Sequence, residues 1–252
     1  LDRVLHILSG NTVFISGLTL THGNASNGGG IRNSGGTLTL TNSTVSDNSG
    51  GGIQNRDLGT LNLNSSTVSG NTNTASGAGI FNVGTFISGN WVGGTLTLIN
   101  STVSGNTITG NAAGGGIANL AGTLTLTNST VSGNTTAASA GGIYNFVDGT
   151  TSLRNSTVSG NTAATNGGGI VHESGTFTFR NTIVAGNFNG GGAGINDCSG
   201  TLTSQGYNLV QTTSGCNIVG DLTGNVTGLD ALLDPLALNV PGTTATHALR
   251  PT

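Results

Sequence analysis

One stretch, GTLTLTNSTVSGN at Gly122 to Asn134, recurs in close copies along most of the chain. Within it Leu124 and Leu126 alternate with threonines, which is the period-two pattern of a strand with one buried face. A second short strand, centred on Val131, is predicted after Asn128. Because one copy cannot bury its own apolar face, such a repeat restricts the chain to architectures in which each unit stacks on the next.

The period of the repeat is marked by a glycine-rich turn followed by isoleucine. The spacings are 22, 27, 37, 26, 27 and 25 residues, and the markers are Ile31, Ile53, Ile80, Ile117, Ile143, Ile170 and Ile195. The long interval contains an insertion near residues 86–93 with the only tryptophan, Trp91, and we expect it to project as a loop.

Each unit of about 22–27 residues predicts three short strands with Gly, Asn or Ser at the corners. Neither a helical period nor a two-residue hairpin turn is evident. These features predict an all-β parallel β-helix, with coils over residues 1–217 and a closing coil and extended segment over 218–252. Leu, Ile and Val are expected to point inward, and Thr and Ser outward.

Asparagine recurs at corner positions, where it tolerates left-handed backbone and where stacked amides can bond to one another. We therefore predict structural ladders. The first column is Asn33, Asn55, Asn82, Asn119 and Asn145, the second is Asn42, Asn100, Asn128, Asn155 and Asn181, and the third is Asn48, Asn71, Asn106, Asn134, Asn161 and Asn187.

Charge and cysteine content limit the ligand classes and the cellular compartments that suit the protein. With 6 Lys and Arg, 9 Asp and Glu and a net charge of −3, the chain has no basic field for nucleic acid. No apolar run reaches the roughly 20 residues of a transmembrane segment. Cys198 and Cys216 suit one disulfide in an oxidising, extracellular compartment, and two free buried thiols are the alternative.

The motifs GGGIRN, GTLTLTNSTVSGNT and GGIYN resemble the repeats of right-handed β-helix proteins of the pectin-lyase-like superfamily. The resemblance is closest to bacterial surface and secreted proteins related to polymorphic outer-membrane proteins. It implies a right-handed parallel β-helix with a secreted or cell-surface location. It does not imply one function, because this fold hosts lyases, hydrolases, adhesins and passive fibres.

Few residues could form a catalytic site. Asp148 and Glu173 occupy similar turns on successive coils, with His172 beside Glu173, and they are the candidates for a polysaccharide lyase or glycoside hydrolase-like activity. The simpler interpretation, which we favour, is that these side chains are solvated charges at surface turns. We expect no metal ion and no cofactor.

The outward side chains are the candidates for surface binding. Thr123 and Thr125 belong to a TxT array that resembles the water-ordering face of β-solenoid ice-binding proteins, although Asn62, Thr151 and scattered registers interrupt it. Other candidates are Trp91 and two arginines that share a register, Arg154 and Arg180.

The leading hypothesis is a non-enzymatic extracellular protein with a structural or adhesive role at a cell surface. The first and last coils expose strand edges, so end-to-end self-association into fibres is expected. A surface carbohydrate is the candidate ligand. A carbohydrate-active enzyme and an ice-binding protein are the alternatives.

Overall fold

The chain folds into a parallel β-solenoid of about eight turns, as the repeat predicts. The computed structural model describes residues 2–190 and 194–250, and this part of the chain contains strands but no helix. Each turn contributes one strand to each of three sheets, named A, B and C, and all neighbouring strands within these three sheets are parallel.

The strands of the three sheets follow one another in every turn. Sheet A contains Leu5–Ile7, Ile31–Ser34, Ile53–Arg56, Ile80–Val83, Ile117–Leu120, Ile143–Phe146, Ile170–His172 and the start of Cys198–Gln205. Sheet B contains Thr12–Ser16, Thr37–Thr41, Thr60–Asn64, Thr95–Ile99, Thr123–Thr127, Thr150–Arg154, Thr176–Arg180, the rest of Cys198–Gln205, and Cys216–Asp221. Sheet C contains Thr19–Thr21, Thr44–Ser46, Thr67–Ser69, Thr102–Ser104, Thr130–Ser132, Thr157–Ser159, Ile183–Ala185, Leu209–Val210 and Val226–Thr227.

A fourth set of two-residue strands, which we did not predict, follows sheet C in the middle turns. Its members are Thr72–Asn73, Thr107–Ile108, Thr135–Thr136, Thr162–Ala163, Phe188–Asn189 and Gly194–Ile195. Two antiparallel hairpins complete the strand inventory, and they pair Thr85–Ile87 with Asn90–Val92 and Ala237–Leu238 with Ala245–Thr246.

The interior of the solenoid is a continuous stack of aliphatic side chains. Leu124 and Leu126 are fully buried in sheet B, and the register places Leu96 and Leu98 of the preceding turn against them. Burying one leucine side chain stabilises the fold by about 1.5–3 kcal/mol. The period-two pattern of the repeat therefore produces the core directly.

Glycines make room for buried asparagines just before strands of sheets A and B. A Cβ on Gly122 would lie 2.2 Å from Nδ2 of Asn82 and 2.7 Å from Oδ1 of Asn119. A Cβ on Gly116 would lie 2.9 Å from Nδ2 of Asn134. Glycine recurs at these two positions because a side-chain amide packs directly against the backbone there.

The predicted turn marker Ile195 is wrong. Gly194–Ile195 pairs antiparallel with Phe188–Asn189, and Ile195 is 43% exposed. The register of sheet A instead aligns Cys198 with Ile170. The fully buried half-cystine occupies the core position that isoleucine fills in the other turns.

The insertion projects from the fourth turn, as predicted, but as an antiparallel hairpin. Its two-residue turn is Ser88-Gly89, with φ of +50° and +85°. Positive φ at both central residues matches the right-handed twist of the flanking strands. The prediction that two-residue hairpin turns are absent is therefore wrong.

The last turn is fastened covalently. The predicted disulfide between Cys198 and Cys216 is present, with the two Cα atoms 5.4 Å apart. It joins Cys198–Gln205 to Cys216–Asp221, the final strand of sheet B. The bond therefore holds the end of the solenoid where the repeat loses its regularity.

Residues 228–250, which we call the C-terminal strap, run back over the outside of sheet C. Thr102 Oγ1 donates a hydrogen bond of 2.7 Å to the carbonyl of Ala245, and Ser132 Oγ lies 2.8 Å from Nε2 of His247. Thr102 is fully buried. Sheet C is thus covered over the middle turns, whereas the outer faces of sheets A and B carry the candidate functional residues.

Candidate functional site

The first asparagine column is a hydrogen-bonded ladder inside the solenoid. Its five members are fully buried, and each Nδ2 donates to Oδ1 of the next at 2.8–2.9 Å from Asn33 through Asn145. All these amides point the same way along the axis, so each bond polarises the next. The predicted ladder is confirmed.

This ladder ends on His172, which takes the position after Asn145 in the register of sheet A. Asn145 Nδ2 lies 3.1 Å from Nδ1 of His172. An amide nitrogen can only donate, so Nδ1 is the acceptor and the imidazole is neutral with its proton on Nε2. Burial lowers the pKa of His172, which favours the same neutral form.

The two acidic candidates beside His172 have separate surroundings. Glu173 lies beside the hydroxyl of Tyr144, and burial followed by this carboxylate raises the pKa of Tyr144 above its ordinary value. Asp148 is exposed at a turn, where its backbone N–H donates to Oγ of Ser174 at 2.9 Å. The three candidates for catalysis lie on successive turns, but each has a different surrounding. His172 is the last acceptor of the asparagine ladder, Glu173 lies beside Tyr144, and Asp148 is at an exposed turn.

The third asparagine column ends on a buried carboxylate that the sequence analysis missed. Asn187 donates to Oδ1 of Asp197 from its backbone at 3.0 Å and from Nδ2 at 2.9 Å, and Thr212 N–H donates to Oδ2 at 2.8 Å. Asp197 is fully buried, and burial raises its pKa while these hydrogen bonds act in the opposite direction. The sequence feature that could have identified Asp197 is its position directly before Cys198, which takes the place of the turn-marking isoleucine.

The second asparagine column lies on the exposed corner between sheets B and C. Side-chain bonds of 2.8–3.2 Å link Asn100, Asn128, Asn155 and Asn181. Asn42 shares their left-handed backbone, with φ +47°, but Ser65 replaces asparagine in the following turn. The ladder of this column therefore begins at Asn100.

A further buried column consists of the serines that follow these asparagines. Ser129 Oγ donates to the carbonyl of Thr127 at 2.8 Å and accepts from the N–H of Ser101 at 3.2 Å. Serine therefore points inward at this corner. The prediction that serine points outward is wrong for this column, because the recurring NST triplet does not itself distinguish a buried hydroxyl from an exposed one.

The outer face of sheet B carries two regular columns of uncharged side chains. The pairing registers place one column of threonines in line over seven turns, as Thr12, Thr37, Thr60, Thr95, Thr123, Thr150 and Thr176. The second column is Phe14, Thr39, Asn62, Thr97, Thr125, Ser152, Thr178 and Thr203. We call this surface the threonine face.

The threonine face is more regular than the sequence analysis expected. Thr151 is not part of it, since it is fully buried opposite Leu124 and donates to Oδ1 of Asn145 at 2.8 Å. Thr150 and Ser152 continue the two outward columns instead. The interruption attributed to Thr151 is therefore absent, whereas Asn62 remains in the second column.

The remaining candidates flank the threonine face. Arg154 and Arg180 are adjacent in register at the end of their strands, two residues beyond the second column, and both are exposed. Trp91 lies in the hairpin just before Thr95, is 46% exposed, and packs edge-on against Phe86 with ring centroids 5.4 Å apart. The fold therefore arranges aromatic, hydroxyl and cationic groups in order across one side of the solenoid.

Comparisons with models of known protein families, with curated proteins and with solved structures found no match to this chain. Among residues 2–190 and 194–250 there is no helix of the length and hydropathy that crossing a membrane requires. The same residues contain no group of three or more His, Cys, Asp or Glu side chains placed to hold a metal ion.

Proposed function

We propose that this protein is a non-enzymatic extracellular β-solenoid with a structural or adhesive role at a cell surface, and that the threonine face is its contact surface. The observation that carries the proposal is the unbroken column from Thr12 to Thr176 beside a second uncharged column. The disulfide between Cys198 and Cys216 supports an oxidising location.

The ligand class that suits this face is a neutral polysaccharide. Threonine is stiff at χ1, so its hydroxyl is already positioned and loses little entropy when it binds. The fully paired strands beneath keep the hydroxyls at regular intervals. A sugar polymer offers hydroxyl groups that both donate and accept hydrogen bonds.

The test is sedimentation of the protein with a panel of insoluble neutral polysaccharides. The double variant Thr97→Lys/Thr125→Lys places two long cations in the second column and should weaken binding about tenfold or more, a loss of at least 1.4 kcal/mol. The matched control is Thr44→Lys/Thr67→Lys, because both residues point outward from sheet C on adjacent turns. Equal weakening in both variants, or no binding by the unmodified protein, would refute adhesion through this face.

We also propose end-to-end self-association. Within the described residues, Thr12–Ser16 and Cys216–Asp221 each pair with only one strand of sheet B, so each presents a free edge. Phe14 is 76% exposed at one end and Leu222 is 56% exposed at the other. Sedimentation velocity should show rod-like oligomers that grow with protein concentration; monomers alone at high concentration would exclude the idea.

Ice binding is a second candidate, favoured by the regularity of the same face. Neighbouring turns are about 4.8 Å apart and alternate residues of a strand about 7 Å apart, so the hydroxyls form a two-dimensional grid. If this grid orders water, the protein should inhibit ice recrystallisation, and Thr125→Tyr should abolish the effect. Inhibition that survives Thr125→Tyr would assign it to another surface.

The contacts of Asp148, His172 and Glu173 give little support to the alternative of a carbohydrate-active enzyme, because His172 already accepts from Asn145. Assay of the unmodified protein and of Glu173→Gln for polysaccharide cleavage tests that alternative directly. Membership of the pectin-lyase-like superfamily is likewise a proposal, supported at the level of fold by three parallel sheets per turn.

A further inference from the structure

Three of the six arginines gather on the outer face of sheet A at the first three turns, away from the threonine face. The register pairs His6 with Arg32, and it pairs Ser34 with Arg56 on the next turn. Arg3 lies just before the first strand. Arg56 belongs to the same cluster because it stacks on Ser34 of the preceding turn.

The cluster is organised around the hydroxyl of Ser34. Arg32 Nε donates to Ser34 Oγ at 3.3 Å, and Nε2 of His6 lies 3.1 Å from the same oxygen. Arg3 is held from the other side, because its Nε donates to the carbonyl of Gly28 at 2.8 Å. Arg56 is positioned by Asp57, with Nε and Oδ2 2.8 Å apart.

The cluster carries surplus positive charge. Asp57 is the carboxylate that pairs with Arg56, and Arg3 and Arg32 form no ion pair within the described residues. Burial and then the charges of Arg56 and Arg3 lower the pKa of Arg32, while Asp57 acts in the opposite direction. Burial and then Arg3 and Arg32 lower the pKa of His6. A bound anion would relieve this mutual repulsion.

A buried polar atom without a partner lies next to the cluster. Gln54, opposite Arg32 in the register, is 5% exposed, and its Oε1 has no hydrogen-bond partner among the described residues. Buried acceptors are nearly always paired, so this oxygen needs a donor from solvent or from a ligand. Phe81 follows Gln54 in the same column and is half-buried.

These features specify a ligand that is anionic, carries hydroxyl groups and has an apolar face. Arginine forks bind the oxygens of phosphate or sulfate with two parallel hydrogen bonds. Oε1 of Gln54 can accept from a sugar hydroxyl, and the ring of Phe81 can pack against a sugar. A nucleic acid is a poorer fit, because its affinity depends on many phosphate contacts along a backbone and this cluster supplies only three arginines.

We propose that Arg3, His6, Arg32, Ser34, Gln54 and Arg56 form a binding site for a glycan that carries sulfate or phosphate ester groups. The site lies on sheet A and is independent of the threonine face. A neutral polysaccharide on sheet B and an esterified glycan on sheet A would occupy different sides of the solenoid.

The test measures binding of dextran sulfate, dextran phosphate, unmodified dextran and polygalacturonate by isothermal titration calorimetry. At least one ester polymer should bind, and the variant Arg32→Gln/Arg56→Gln should weaken that binding about tenfold or more, since two charge-assisted hydrogen-bonding groups are lost. The matched control is Arg154→Gln/Arg180→Gln, which removes the same charge from sheet B and should change affinity less than about twofold.

The comparison of dextran sulfate with dextran phosphate identifies the ester, and binding of both supports the shared chemistry. The proposal is overturned if neither ester polymer binds, if polygalacturonate or plain dextran binds as tightly, or if the two double variants lose affinity equally. Circular dichroism of both variants shows that they are folded before affinity is compared. Loss of this site would leave binding through the threonine face unchanged, so the two proposals fail separately.

Discussion

Asn145 donates a hydrogen bond of 3.1 Å to Nδ1 of His172, so a buried ladder of amides ends on a neutral imidazole. Burial lowers the pKa of His172 below its ordinary value of 6.5 in the folded protein. The unfolded chain therefore binds a proton more readily than the folded one near that pH. The contribution of His172 to stability is complete above pH 6.5 and is lost as the pH falls below it.

The measurement is urea unfolding of the unmodified protein and of His172→Asn between pH 8 and pH 5. Asparagine would continue the ladder and does not titrate. We expect the stability of the unmodified protein to fall relative to His172→Asn as the pH decreases. A constant difference between the two proteins would show that His172 does not titrate differently on folding.

Gly122→Ala should destabilise the solenoid strongly. The added Cβ would meet Asn82 Nδ2 at 2.2 Å and Asn119 Oδ1 at 2.7 Å, inside the ladder. We expect a loss of about 3 kcal/mol in the free energy of unfolding. Gly133→Ala is the control, since Gly133 has φ +64° and its nearest atom would be 3.9 Å away. Only the left-handed backbone penalty of about 1 kcal/mol should appear there, and equal losses would refute a packing role for Gly122.

Thr102→Val should loosen the C-terminal strap. The change removes the donor of the 2.7 Å bond and leaves the carbonyl of Ala245 without this partner. The expected loss is about 1–2 kcal/mol, together with faster proteolytic cleavage within residues 228–250. Thr67→Val is the matched control, because Thr67 occupies the same register one turn earlier and remains half-exposed. Identical cleavage rates in the two variants would mean that the bond does not hold the strap.

Reduction of the disulfide between Cys198 and Cys216 should act locally. In the chain-entropy model the closed loop stabilises the fold by about 3 kcal/mol. Because each turn of a solenoid contacts mainly its neighbours, hydrogen exchange should accelerate in Cys216–Asp221 and remain slow in Thr95–Ile99. Uniform acceleration in both strands would contradict this nearest-neighbour behaviour.

The repeat predicted much of what surrounds these sites. Period-two alternation placed Leu124 and Leu126 in the core, and the recurring asparagines predicted three ladders that the structure contains, the second of them from Asn100 onward. Where the copies of the repeat diverge, aligning them with one another did not predict which side chains point inward. Thr151 was assigned to the surface because threonine is common on exposed strands, but the hydrogen bond that it donates to Asn145 stabilises it inside.

The sequence by itself determined a parallel solenoid, its turn length and the position of its insertion, because each depends on a local pattern repeated at a regular spacing. Only the tertiary structure decided which residues terminate the ladders, which threonines face outward, and which charges meet. Stacking places residues of successive turns about 4.8 Å apart although they are separated by a whole turn in sequence. The arginine cluster around Ser34 arises in this way, and so does the threonine face.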